Sequence, residues 1–414
     1  MKKIKLLFLL IIFYPSLTYT QNLRDVICTV YPVYDVNTVN FLKDLSKDLH
    51  KKGYEKASKL TEGKALGSFG TGFVFKDKTS NKYYVITNRH VISPARYVNL
   101  KFTVSGKLVM YERCVVLAAS DELDIAIIEM PGYVEFSETL SFSQAIIKDG
   151  DDVFSAGYPG LASNPLWQFG KGIISNNLVQ SDILVNNPDS YVIQHTAQVD
   201  PGSSGGPLLI QDSNESLNYS IIGVNTWKAS GREGANYAIP ATDVISFINK
   251  SLTKKTTDSE ENLENHARKL INAAELGYSE LLPYISYECI SGMSVNAFMK
   301  LYKNASKYAQ NEINKNFLSG LPFDGVRIAI AEAIHKDFIN NKTSFLTVQN
   351  NHSNQVNVLY QQGKKTYSSG WVLEYGQWRL ASFHLLSIKR LKPCNFIAVT
   401  LVSINFLYLY YVRI

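Results

Sequence analysis

The segment Asp200-Pro201-Gly202-Ser203-Ser204-Gly205-Gly206-Pro207 sets a serine between glycines. A hydroxyl is a weak nucleophile until a base takes its proton. Acyl transfer through a serine therefore needs a base, a group that orients the base, and donors for the oxyanion. Gly202 allows a turn that points its own N–H and that of Ser204 at one spot, while Gly205 and Gly206 leave room for a substrate chain. A glycine-rich hairpin has the same composition, but it does not account for two upstream companions. In Thr87-Asn88-Arg89-His90-Val91 the histidine follows an apolar run at 83–86, at a strand end where an imidazole can serve as base. In Leu123-Asp124-Ile125-Ala126-Ile127-Ile128 a carboxylate stands at the mouth of an apolar strand, placed to hold the imidazole. Asp121 is the nearby rival; its polar surroundings predict a solvated side chain.

The elements that must position these groups read as short apolar or alternating runs bounded by Gly, Asn and Pro. They lie at 69–75, 83–86, 97–104, 108–117, 125–130, 153–157, 191–194, 221–227 and 235–239. Many short strands separated by turns predict a sandwich or barrel, closed by a helix at 241–250. Upstream, Phe41, Leu42, Leu45 and Leu49 have helical spacing, so 21–66 is expected to be a helical N-terminal extension. Residues 251–261 are polar and charged, as in a linker. Beyond them helical patterns at 262–276, 294–314 and 325–339 precede strand-like runs at 344–348, 356–361, 367–375 and 377–385. This order predicts an α+β domain over 262–386. The last two runs meet through Gly376 as a hairpin with aromatic cross-strand partners.

With 414 residues, 45% of them hydrophobic, the chain is long enough for two domains. Residues 1–20 carry Lys2, Lys3 and Lys5, an apolar run at 6–14 and a polar end, the layout of a signal peptide. Export to a periplasm or to the outside is the expectation. The net charge of +6 is concentrated in those three lysines and in Lys389, Arg390, Lys392 and Arg413, so the middle of the chain lacks a nucleic-acid footprint. Cys28, Cys114, Cys289 and Cys394 have no CxxC spacing, which predicts neither a zinc site nor a dense disulfide framework but buried packing, with a single bridge left open. The tail, 387–414, is basic and then apolar. Its run at 396–412 sits at the short edge of a membrane span, and lysines on the outer side would oppose the positive-inside tendency. A buried or interfacial segment is preferred there over membrane association through the tail.

Residues 67–249 resemble the trypsin-like serine peptidases, specifically the bacterial HtrA-type branch. Besides the three site phrases, the resemblance is carried by Gly70-Thr71-Gly72-Phe73, Gly157-Tyr158-Pro159-Gly160, Gly172-Ile173-Ile174-Ser175, Ile222-Gly223-Val224-Asn225-Thr226 and Asn236-Tyr237-Ala238-Ile239-Pro240. It implies a mainly β double-barrel protease domain over 67–250 with His90, Asp124 and Ser204 as a triad in the interbarrel cleft. It also implies oxyanion donors at the Gly202 and Ser204 amides, and pairing of Val224, Asn225, Thr226 and Trp227 with an extended protein or peptide substrate. No cysteine flanks His90 or Ser204, unlike the digestive branch. Ser203 stands where zymogen-activated relatives need an aspartate, so no propeptide cleavage is expected. Gln198, Ala235 and Asn236 stand at the substrate-side pocket without a carboxylate for Arg or Lys, which predicts cleavage after uncharged, small to medium residues. Asp200 could also reach that pocket, although before Pro201 it reads as a turn residue.

The C-terminal domain does not read as the PDZ domain usual in the HtrA branch. Its helices-then-sheet order and the phrase Glu374-Tyr375-Gly376-Gln377-Trp378-Arg379-Leu380 resemble the NTF2-like fold. His335, Glu332 and Asp337 are read as a solvated helix face rather than a metal set. Trp371, Tyr375 and Trp378 are read as hairpin core. The expected chemistry is an exported serine endopeptidase that uses no cofactor or metal. The alternative is an inactive protease-fold scaffold acting through its C-terminal domain. Oligomeric state is not legible.

Overall fold

The structure, a computed structural model, describes residues 23–161, 164–180, 191–215, 217–228, 232–253, 260–290, 293–350 and 356–383. The expected signal peptide, the middle of the linker and the basic-apolar tail lie outside these residues.

A single helical turn, α1 (Leu23–Val26), leads into β1 (Ile27–Val33). The β1 sequence, Ile-Cys-Thr-Val-Tyr-Pro-Val, is rich in residues suited to a pleated surface, and Ile27, Cys28 and Val30 are fully buried. Two helices follow, α2 (Val36–Lys51) and α3 (Glu55–Gly67). Asp35 caps α2 by accepting from the Thr38 amide at 2.9 Å, a contact whose loss typically costs ~1 kcal/mol. Phe41, Leu42 and Leu45 of α2 join the core of the first barrel. The remaining strands of that barrel are β2 (Gly70–Lys76), β3 (Tyr83–Asn88), β4 (Tyr97–Val104), β5 (Lys107–Ser120) and β6 (Ile125–Glu129), with the short helix α4 (Arg89–Ile92) after β3.

The sheet closes in the order β1-β2-β3-β6-β5-β4. Thus 21–66 is not a helical extension throughout. Its first part is a barrel strand, antiparallel to β2 from Ile27↔Phe73 to Val30↔Gly70 and to β4 from Thr29↔Lys101 to Val33↔Tyr97. A seven-residue strand cut off from its partners by two helices has no local turn signal. Burying its Ile and Val side chains contributes roughly 1.5–3 kcal/mol each.

The chain then runs through β7 (Ser141–Phe142), β8 (Asp152–Gly157), β9 (Gly160–Leu161), β10 (Asn164–Pro165), β11 (Gln168–Gln180), β12 (Tyr191–His195), β13 (Pro207–Gln211), β14 (Tyr219–Lys228) and β15 (Asn236–Pro240), most of which build the second barrel. Its sheet order is β13-β8-β11-β12-β15-β14-β7. A further β13–β14 pairing closes six of these strands into a ring, with β7 appended and β9–β10 forming a small separate hairpin. Val153, Ile174, Ile193, Leu208, Ile222 and Ala238 fill the interior. Two barrels are therefore present, as the resemblance implies. The closing helix, α5, spans Ala241–Thr253.

The third unit starts with α6 (Glu260–Leu276), so the expected linker is helical at both its ends. After α7 (Tyr278–Leu281) and two 3-10 turns come α8 (Val295–Asn304), α9 (Lys307–Leu318) and α10 (Pro322–Asn341). The single helix expected at 294–314 is two. Ser306 starts α9 by accepting the Ala309 amide, and the Glu332 carboxylate takes the Ser306 amide at 3.0 Å. A four-stranded antiparallel meander follows: β16 (Ser344–Asn350), β17 (Val356–Gln362), β18 (Lys365–Glu374) and β19 (Gln377–Phe383). The β18–β19 hairpin turns through Tyr375 and Gly376, both at positive φ (52° and 73°), as a two-residue turn requires. Trp371 is fully buried with its Nε1 donating to Ser369. Tyr375 donates to the Ala95 carbonyl at 3.0 Å, so the turn is sewn to the first barrel.

Candidate active site

His90 is fixed from two sides by one carboxylate. Its backbone amide donates to Asp124 Oδ1 at 2.8 Å, and its Nδ1 lies 2.7 Å from Asp124 Oδ2. The Arg89 amide and the Asn88 side-chain amide both donate to the Asp124 carbonyl at 3.0 Å. This is possible because Asp124 has φ 55°. Such a left-handed backbone outside glycine costs of order 1–3 kcal/mol and persists where its surroundings over-determine it. With Nδ1 committed to the carboxylate, Nε2 is the nitrogen left to act as base.

The Ser204 turn is held from the first barrel. Thr71 N donates to the Ser204 carbonyl at 2.8 Å, and Thr71 Oγ1 donates to the Gly202 carbonyl at 2.7 Å. Ser203 N closes onto the Asp200 carbonyl, and Gly205 N donates to the Asn225 carbonyl, both at 2.8 Å. Gly202 has φ 102°, and a Cβ there would stand 2.8 Å from the Tyr158 carbonyl oxygen. Glycine is required at this corner. The amides of Gly202 and Ser204 have no acceptor among the described residues, the condition for donors awaiting an oxyanion.

The two halves meet on β14. Asn88, two residues before His90, donates from its side chain to Thr226 Oγ1 at 2.8 Å. The His90 ring lies over Trp227 with centroids 5.3 Å apart and planes 31° apart. The Ser204 hydroxyl donates to the Thr226 carbonyl at 3.3 Å. Among the described residues its hydrogen bond thus goes to the strand, not to the imidazole. Catalytic hydrogen bonds in unliganded sites are commonly long and tighten on substrate binding. A rotation about one Ser204 torsion changes the hydroxyl's direction.

The expected substrate residues divide into strand and pocket. Pairing of β14 with β13 ends at Val224↔Pro207, and the β14–β15 register shifts between Asn225 and Trp227. Thr226 and Trp227 therefore present backbone beside Ser204. Asn225 is wholly buried, its amide donating to Ser155 and to the Pro207 carbonyl at 3.1 Å, so its side chain is structural. Ala235 and Asn236 are buried, and Asn236 ties β15 to the Ala197 carbonyl at 2.8 Å. Gln198 donates to Asp200 Oδ2 at 2.7 Å, and Lys228 lies 3.1 Å from Asp200 Oδ1. Burial would raise the Asp200 carboxyl, but these two partners outweigh it and hold it below its ordinary range. Asp200 is engaged on both oxygens.

Sequence reasoning missed what stands behind the histidine. Asp121 is largely withdrawn from solvent and ion-paired rather than solvated, its side chain 11% exposed, 2.9 Å from both Arg327 Nη1 and Arg379 Nη2 and 3.6 Å from Arg89. Burial would raise its carboxyl; the three guanidiniums prevail and hold it far below the usual range. Arg89 Nη1 lies 2.9 Å from Asp324 Oδ1 of α10 and donates also to the Tyr287 hydroxyl, while its Nε is 3.9 Å from Asp124. Buried ion networks add little net stability, yet deleting one partner strands a charge at a cost of ~3–5 kcal/mol. Arg89 stands in the histidine phrase itself, the one local signal; its partners Tyr287 and Asp324 lie some two hundred residues away.

Glu332 and Asp337 are buried, not on a solvated face. Asp337 accepts from Gln362 at 2.8 Å, and His335 Nδ1 lies 2.6 Å from the Ala274 carbonyl. No group of His, Cys, Asp and Glu among the described residues has a metal-holding arrangement.

Residues 70–216 match the family described as trypsin-like peptidase domain. The serine protease Do-like HtrB of Bacillus subtilis is 30% identical over 193 residues, 45% of this chain and 39% of that protein. The serine protease Do-like HtrA of Lactococcus lactis subsp. lactis is 27% identical over 224 residues, covering 52% and 53% respectively. The chain thus spans about two fifths to half the length of these relatives. A crystal structure of the serine endoprotease from Yersinia pestis aligns over 56% of this chain and 64% of that one, at 19% identity and a TM-score of 0.38.

Proposed function

We propose, from the premise that residues 70–216 form an HtrA-like, trypsin-fold peptidase domain, that this protein is an exported serine endopeptidase acting on protein substrates. The carrying observation is the pairing of His90 Nδ1 with Asp124 at 2.7 Å beside a Ser204 turn whose neighbouring amides lack acceptors. An extended substrate adds to the Thr226–Trp227 edge, its N–H taking the Thr226 carbonyl that the Ser204 hydroxyl now uses. The displaced hydroxyl turns to His90 Nε2. His90 takes the proton as Ser204 attacks the scissile carbonyl, and the Gly202 and Ser204 amides hold the oxyanion. The imidazolium, stabilised by Asp124, then protonates the leaving amine, and water hydrolyses the acyl-enzyme by the same steps. With Asp200 engaged by Lys228 and Gln198, the pocket takes uncharged side chains.

The test is Ser204→Ala in the full chain, with fluorescein-casein as substrate and a fluorophosphonate as covalent probe. Loss of both cleavage and labelling with an unchanged circular-dichroism spectrum is expected. A variant that still cleaves at the parent rate overturns the reading.

A further inference from the structure

Three guanidiniums, Arg89, Arg327 and Arg379, and four carboxylates, Asp121, Asp124, Asp324 and Glu374, form one lattice behind the catalytic pair. Asp124 belongs to the first barrel; Asp324, Arg327, Glu374 and Arg379 belong to the C-terminal domain. Arg89 is the only member next in sequence to His90. Its side chain is turned away from the cleft, and its position is set by Asp324 and Tyr287.

We infer that Arg89 is a positioning residue for the catalytic pair and that the C-terminal domain, through Asp324 and Tyr287, sets where it stands. The geometry is a relay. Asp124 gives Oδ2 to the imidazole and Oδ1 to the His90 amide, and the Arg89 Nε approaches that same Oδ1 at 3.9 Å. A guanidinium drawn toward Asp324 leaves the carboxylate's charge for the imidazolium; one released toward Asp124 competes for it. The C-terminal domain is then part of the catalytic apparatus rather than a detachable recognition module. This rests on the serine-peptidase reading.

Other charged or titratable groups face this spot. Lys64 of α3 donates to the His90 carbonyl at 3.1 Å. Asp121 precedes β6, Tyr287 lies in a 3-10 turn, Arg327 on α10, Arg379 on β19, and Tyr375 and Glu374 at the β18–β19 turn. A cation at Arg89 opposes protonation of the imidazole and an anion at Asp324 favours it. Removing each must therefore move the activity profile in opposite directions.

The full chain is labelled with a fluorophosphonate between about pH 5 and 9, and the midpoint of the labelling rate against pH is read. Arg89→Gln is expected to raise the midpoint and Asp324→Asn to lower it, each by about 0.5 pH or more. Asp324→Asn should slow labelling about ten-fold in the parent but less than about two-fold when Arg89→Gln is already present, because its effect passes through Arg89. Arg89→Lys should restore the midpoint. If Arg89→Gln alone does not fold, Asp324→Asn and the double variant, which strands neither charge of the pair, still give the comparison. Unmoved midpoints, or rate losses that simply multiply, overturn the inference while leaving the peptidase reading intact. Labelling of Ser204→Ala at the parent rate would remove that reading itself.

Discussion

Asp124 holds His90 by both of its oxygens, Oδ1 on the backbone amide at 2.8 Å and Oδ2 on the ring nitrogen at 2.7 Å. A carboxylate can accept on both sides; a carboxamide cannot. Asp124→Asn must present an NH₂ group to one of these two donors, and relief comes most readily by turning the imidazole to its other tautomer, with Nε2 protonated. Turnover should fall by roughly 10³- to 10⁴-fold with KM nearly unchanged. Asparagine tolerates the left-handed backbone at φ 55°, and Arg89, 3.9 Å from Asp124, keeps its closer pairs with Asp324 and Asp121, so the melting temperature should move little. A variant retaining more than a tenth of the parent's turnover would show that this carboxylate does not set the tautomer.

The oxyanion donor proposed at Gly202 sits on a backbone that alanine resists. A Cβ would stand 2.8 Å from the Tyr158 carbonyl oxygen and 2.9 Å from the Gly160 amide nitrogen. Both neighbours are main chain, so Gly202→Ala must rotate the peptide and take its N–H off target. A fall in kcat of roughly a hundred- to a thousand-fold is expected, the usual effect of losing one such donor. Fluorophosphonate labelling should slow in parallel while folding persists. Unimpaired turnover would place the oxyanion elsewhere.

Much of this was legible in the residues, and the gaps have a common cause. The His90, Asp124 and Ser204 phrases are local: each couples its chemistry to a strand end or a glycine turn within a few positions. The apolar run at 97–104 has the bounds of its strand for the same reason, because alternation is a short-range signal. What escaped was long-range. Ile27–Val33 gains its partners only after two helices have intervened, and a lone Asp121 in a polar stretch gives no sign of the Arg327 and Arg379 that pair with it. The division of 294–314 turns on Ser306, whose hydroxyl accepts the Ala309 amide and starts a second helix.

The thiols give a check on the core. Cys28, Cys114 and Cys289 are free, and burial raises all three thiols, Cys28 well above its ordinary value and Cys114 to about 11. Thiolate is the reactive form. In a Cys394→Ser chain, iodoacetamide at about pH 8 should therefore label none of them until denaturant is added. Reductant should leave the melting temperature unchanged. Prompt modification of Cys28 in the folded chain would be incompatible with β1 as a buried strand of the first barrel.

His195 makes stability depend on pH with a definite sign. It lies fully buried on β12, and burial pushes its imidazole down from 6.5 to about 4, against weaker opposing help from Asn225 and the Ala197 backbone. Above pH 6.5 the ring is neutral in both folded and unfolded chains, and its neutrality costs nothing. As pH falls from 6.5 to 4 the unfolded chain takes up a proton that the folded chain refuses, so stability is lost across that window, by at most about 3 kcal/mol. Carboxyls raised by burial, such as Glu374, act in the opposite sense and obscure the effect in the parent alone. The difference between parent and His195→Gln isolates it. Urea midpoints measured at pH 7 and pH 4.5 should drop further for the parent than for the variant. Equal drops would mean that the ring reaches water or a carboxylate in the folded chain, which a filled second barrel does not permit.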